Sequence, residues 1–189
     1  LGEEYLGNMR ITATNPAANK YDFRMGLADG GIRMRVDGNY QAVNGEQLLN
    51  LQLQLDTLQM QLLTAFSGNQ FSDPEGFVSA RFDISGSLSE PVYAGEMRFR
   101  NAALTVNQLN NRFSLADERI RVDNAGMAIE QFELRDPNGH RLMVSGSIKT
   151  PALLQPELDL TIKANNFQLI DATAKNNPMF YGRASVNTE

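Results

Sequence analysis

The sequence predicts an all-β protein: an elongated, repeated antiparallel sheet, curved or folded into an open trough with an apolar concave face. Three observations lead there. Two-residue alternation of apolar and polar side chains dominates the chain, as in strands with one apolar and one polar face. Gly, Asn, Asp and Pro punctuate the alternating runs as turns do. The chain also repeats itself: ISGSLSEPVYAG at 84–95 is answered by VSGSIKTPALLQ at 144–155, with Pro91 and Pro151 each three residues beyond Leu88 or Ile148.

Taken in order, the turn ADGG at 28–31 precedes IRMRVDG, where Ile32, Met34 and Val36 alternate. LNLQLQLD follows with Leu49, Leu51, Leu53 and Leu55. Within this stretch Leu48, Leu51, Leu55, Leu58 and Leu62 also fit a helical stripe. Strand is the better reading, because a helix leaves Leu49, Leu53 and Met60 off the stripe, whereas alternation covers 49–55 and 58–62 with one slip at Asp56-Thr57. That slip predicts a bulge or short bend. Short strands are then expected at Met97/Phe99, Leu104/Val106, Ile120/Val122, Met127/Ile129, Phe132/Leu134 and Leu142/Val144, with the turn DPNG at 136–139. LDLTI closes the series with Leu158, Leu160 and Ile162.

A longer period underlies these runs. MRITATN (9–15) aligns with ERIRVDN (118–124), YDFRM (21–25) with EQFEL (130–134), and GIRMRVDG (31–38) with GHRLMVSG (139–146), all at a shift of 108 or 109. MQLLTA (60–65) aligns with FQLIDA (167–172) and GFVSA (76–80) with GRASV (182–186). The expected organisation is one elongated β domain over 1–189, with repeats 10–83 and 119–189 joined by 84–118. Some eight short strands per period, about 4.8 Å apart, add roughly 40 Å of length. The chain opens and stops in mid-pattern, so a fragment of a longer protein is expected, with an apolar strand, an (I/V)-S/D-G step and a proline following Glu189.

Composition narrows the function classes. The 189 residues carry a net charge of -5, and RFDISGSL and EMRFRN show isolated arginines, so no nucleic-acid partner is expected. With no cysteine there are no disulfides, zinc-thiolate sites or thiol nucleophile. No apolar run is long enough to span a membrane, and residues 1–20 lack a signal-peptide layout.

Residues able to carry chemistry are sparse. His140 is the single histidine and follows the DPNG turn; without clustered ligands it reads as a turn residue rather than a metal ligand, acid or base. Ser145 in VSGS lacks the G-x-S-x-G setting of a nucleophile elbow. Asp83, Asp117, Glu118 and Asp136 suit turns and soluble edges better than a carboxylate pair. Gly30-Gly31 is a tight turn, not a phosphate loop. No enzyme activity, cofactor or metal is expected. What remains is the apolar face itself, which serves either a closed core or an open groove. The groove lining is expected to include Leu51, Leu53, Leu55, Met97, Phe99, Ile129, Leu158, Leu160 and Ile162. At about 0.8 kcal/mol per methylene, an acyl chain is held out of water but slides along a continuous aliphatic surface.

The segments GFVSARFDISGSLSEPVYAGEMRFRNAALTV, RIRVDNAGMAIEQFELRDPNGHRLMVSGSIKTP and LDLTIKANNFQLIDA, in that order, resemble the C-terminal region of the TamB family, the inner-membrane subunit of the translocation and assembly module. The pattern covers nearly all of 76–189, and 10–65 looks like a preceding copy. The Gln-rich 47–61 stretch matches no motif of the family. The resemblance implies a periplasmic β-sheet with a hydrophobic interior, held in the inner membrane of a Gram-negative bacterium by a segment outside this chain. It implies phospholipid acyl chains and an outer-membrane barrel of the TamA type as partners, and roles in phospholipid transport to the outer membrane and in outer-membrane protein assembly. A scaffold binding unfolded outer-membrane strands by β-augmentation and a purely structural spacer are the alternatives.

Overall fold

The computed structural model describes residues 7–149, 156–173, 175 and 181–188. Ten strands, each antiparallel to the next, form one meander in sequence order. They are β1 (Asn8–Ala17), β2 (Lys20–Ala28), β3 (Ile32–Val43), β4 (Glu46–Gln59), β5 (Phe71–Ser87), β6 (Pro91–Val106), β7 (Asn111–Asp123), β8 (Gly126–Arg135), β9 (Arg141–Lys149) and β10 (Glu157–Ala164). β11 (Phe167–Ala172) and β12 (Gly182–Val186) pair in a separate two-stranded sheet. A 3-10 helix, Met60–Phe66, joins β4 to β5. Among the described residues no helix is long and apolar enough to cross a membrane. β1 and β10 do not meet, so the sheet is open, with two edges.

The strands are longer and fewer than the alternation alone suggests. They run from 8 residues in β10 to 17 in β5, and a shift of 109 crosses six strands rather than eight. Nine spacings of about 4.8 Å make the sheet roughly 43 Å across its strands. The same shift lays the sequence of β1, β2 and β3 on that of β7, β8 and β9. The matched segments diverge thereafter. Residues 60–65 are in the 3-10 helix, whereas 167–172 form β11; GFVSA lies in β5 and pairs with β4, whereas GRASV forms β12 and pairs with β11. Beyond β12, the Thr188 N–H donates to the Ala164 carbonyl and its hydroxyl to the Ile162 carbonyl, on the outer edge of β10.

The leucine-rich stretch is a strand as far as Gln59. Asp56 is a bulge: Met34 faces Leu55, Arg33 already faces Thr57, and on the other side Leu55 pairs with Ala80 but Leu58 with Val78. Strand does not extend through 60–62 as alternation predicts. Met60 instead turns onto the apolar face and is 3% exposed, against Val78 and Ala102. A second set of irregularities keeps the apolar face continuous. Met97 and Phe99 share a cluster with Ala102 and Leu104, although a strict two-residue period would put the two pairs on opposite faces. Asn101, with φ 46, supplies the odd step, and Gly76, with φ 88, lies against its carbonyl.

Among the described residues, the cover over the apolar face lies toward one end of the strands. There the 3-10 helix packs on β5, and Phe113 of β7 stacks on Phe167 of β11 with ring centroids 5.5 Å apart. Ala164 at the end of β10 joins the same cluster. β7 and β10 are three strand spacings apart, about 14 Å in a flat sheet, and Phe167 fills the space between them over the apolar side. Phe99 of β6 and Phe132 of β8 likewise meet edge-to-face at 5.8 Å over the intervening strand. The opposite end carries the turns at 18–19, 44–45, 88–90 and 124–125. The segment 150–155, with the Pro151 of the repeat, lies outside the described residues.

Candidate functional site

Register assembles the candidate site. Ile11, Met25, Val36, Leu53, Phe82, Gly95, Val122, Met127, Ile148 and Leu158 are successive cross-strand partners over all ten strands. Partners directly opposite one another point to the same face, so this is one unbroken row with a single glycine gap. Parallel rows flank it. Leu55 links Met34 to Ala80, Met97 and Ile120; Ile129 faces Gly146, which faces Leu160; Phe132 faces Val144, which faces Ile162. Leu51 lies between Gly38 and Ile84, and Phe99 opposite Val78.

All nine residues expected from sequence therefore share one face. Leu51, Leu53, Leu55, Met97, Phe99, Ile129 and Leu160 are half-buried, while Leu158 and Ile162 on the edge strand are 64% and 46% exposed. Few side chains on this face are buried; Met60, Val78 and Phe113 cluster toward the covered end, and Val36 lies in the central row. The apolar face is thus a trough, roofed at one end by the 3-10 helix and the β11–β12 hairpin. Toward the other end Tyr21 and Tyr40 flank it with rings 6.2 Å apart.

Sequence reading missed Phe82 and Ile84 of β5, which alternate in RFDISGS, and the edge residues Met9 and Ile11. Glu118, expected at a turn or soluble edge, lies instead within β7. This carboxylate faces Phe99 on the apolar side; burial pushes its pKa up, reinforced by Glu133 and Asp117 and opposed by the Glu133 backbone N–H. Its neighbour Asp117 faces Arg100 on the polar side, so the two do not form a pair aimed at one point.

Asp136 and His140 have a structural setting. The Asp136 side chain is fully enclosed and accepts hydrogen bonds from the Asn138, His140 and Gln168 backbone N–H groups and contacts His140 Nδ1 at 3.0 Å. Burial raises its pKa, but these bonds outweigh it and hold the carboxyl below its ordinary value. The arrangement ties the β8–β9 turn to β11. Among the described residues no three His, Asp or Glu side chains gather as a metal site would require.

Comparison of the chain with family models, curated proteins and solved structures returned no match.

Proposed function

We propose that this chain is a groove segment that carries phospholipid acyl chains without chemistry, the conduit of a TamB-like protein between the inner and outer membranes. The observation that supports it is the apolar row crossing all ten strands, half-buried over most of its length, exposed at both edge strands and buried only at Val36. A closed core would bury that row, and a spacer has no need of its continuity. At about 0.8 kcal/mol per methylene withdrawn from water, a trough of this length lowers the barrier to moving an acyl chain while leaving it free to slide. The resemblance to the TamB family extends this reading to outer-membrane phospholipid supply and protein assembly with a TamA-type barrel. A second reading, β-augmentation of unfolded outer-membrane strands, draws on a different observation: every residue of β1 is exposed and, among the described residues, no strand pairs with its outer edge.

Lysine substitution tests the groove, because a lysine at an open apolar surface sends its amine to water yet obstructs an acyl chain. Leu160→Lys is expected to leave a folded chain that no longer takes up a photo-crosslinkable phospholipid. Thr161→Lys, on the opposite face, keeps uptake. Normal uptake by both folded variants would falsify the groove, and unfolding by Leu160→Lys favours a closed core. If instead a β1 substitution to proline abolishes binding of an outer-membrane strand peptide while lipid uptake persists, the edge is an additional site.

A further inference from the structure

The polar face holds a feature that no linear stretch reveals. Register joins Arg10 through Gly26 to Arg35, then through Gln54 to Arg81 and through Glu96 to Arg121. One row nearer the covered end stand Arg33, Arg98 and Arg119, the last two directly opposite each other. All seven are exposed. Glu96 and Glu130 serve Arg98, Arg119 and Arg121. No ion pair among the described residues engages Arg10, Arg33, Arg35 or Arg81. Counting Asp56 as well, seven guanidiniums stand over three carboxylates in a chain of net charge -5. The arginines isolated in sequence form a band across seven strands, roughly 29 Å wide.

We propose that this band docks the protein on a surface of anionic lipid phosphates. It lies on the flank of the sheet, where the backbone is already paired, so it offers no edge to an acidic peptide. Its two depressions, about 370 Å³ around Arg81 and Arg98 and about 680 Å³ around Arg10, Arg33 and Arg35, are shallow and open. A broad, flat array of forked donors matches many phosphates in a plane better than one extended chain. Across the same strands, the next row away from the covered end carries Asp37, Asp83 and Asp123 against one cation, Arg24, which pairs with Asp37 and leaves Asp83 and Asp123 as its excess charge. Asp83 and Asp123 are repelled by the same surface and tilt the protein so that its covered end approaches. Screening over about 10 Å at moderate salt lets the band act despite the net negative charge.

The band occupies the face opposite the trough and acts independently of the groove. Its test is co-sedimentation of the chain with phosphatidylcholine vesicles with and without phosphatidylglycerol. Binding is expected only with phosphatidylglycerol and falls with salt. The double variant Arg35→Gln/Arg81→Gln breaks no ion pair and is expected to bind about 25-fold more weakly, near fivefold per arginine, with phospholipid uptake into the trough unchanged. Equal binding to both vesicle types overturns the proposal, as does undiminished binding by the double variant. Stronger competition by polyglutamate or a single-stranded oligonucleotide than by phosphatidylglycerol vesicles also overturns it, in favour of a protein or nucleic-acid partner.

Discussion

Gly146 shows what single residues must do for this sheet. It has φ 130, and a Cβ there would lie 2.0 Å from the Asp159 carbonyl oxygen of the neighbouring strand. Gly146→Val is therefore expected to destabilise the chain by about 1–3 kcal/mol in denaturant unfolding. Gly26 has an ordinary backbone and open space around its Cβ position, so Gly26→Ala should change stability by less than about 0.5 kcal/mol. Two carboxyls carry opposite pH signatures. Asp136 has a depressed folded pKa, so its contribution is present above the ordinary aspartate range and lost as pH falls through the folded value. Asp136→Asn should destabilise at neutral pH by about 1–3 kcal/mol, and the gap from the unaltered chain should close in acid. Glu118 has a raised folded pKa, so its cost appears as pH rises through the unfolded value and persists above the folded one. Glu118→Gln should therefore be the more stable protein at neutral pH and match the unaltered chain in acid, as thermal unfolding across pH would show.

At the scale of elements, the β11–β12 hairpin is a cap rather than another rung of the main sheet. Phe167, 1% exposed, stacks on Phe113; Asn110 and Asn111 donate to the Asp171 and Gln168 carbonyls; Asp136 accepts from Gln168. Phe167→Ala removes the largest of these contacts and should cost about 3–5 kcal/mol, a typical cost for truncating a buried phenylalanine. Hydrogen exchange should show the loss in β11, β12 and the 136–140 turn while β3–β6 keep their protection. The same element defeats sequence reading. FQLIDA resembles MQLLTA closely enough to suggest the same conformation. Yet Met60 reaches the apolar face from a 3-10 turn, whereas Phe167 reaches it from a strand folded back over β7. The difference lies in what each segment packs against.

Over the whole molecule, stability is graded across the sheet. β1 is exposed along its length, whereas β4 to β7 are paired on both sides and bear the Met60 cluster. Native-state hydrogen exchange should find β1 opening first and β5 and β6 last, since opening follows the few contacts an edge strand makes. Uniform protection in all ten strands would contradict this gradient. An open sheet with an exposed apolar face is a liability for aggregation unless something covers it, which is the physical side of the acyl-chain reading.

The sequence by itself determined that the chain is built of strands and which residues share a face within each alternating run. Leu49 to Leu55, Met97 with Phe99, and Leu158 to Ile162 alternate with period two, a local property of extended backbone that tertiary contacts need not supply. The bulge at Asp56 was legible for the same reason, as a break in that period. Only the tertiary structure decided which residues stand side by side. Leu53 reaches Leu158 through five intervening partners, and Arg10, Arg35 and Arg81 reach one band from strands far apart in the chain. Register is set by pairing between strands, and a shift of one residue would turn an entire strand over. The roof over one end of the trough was hidden as well, because Met60 and Phe167 are ordinary apolar residues until the chain curves back to bury them.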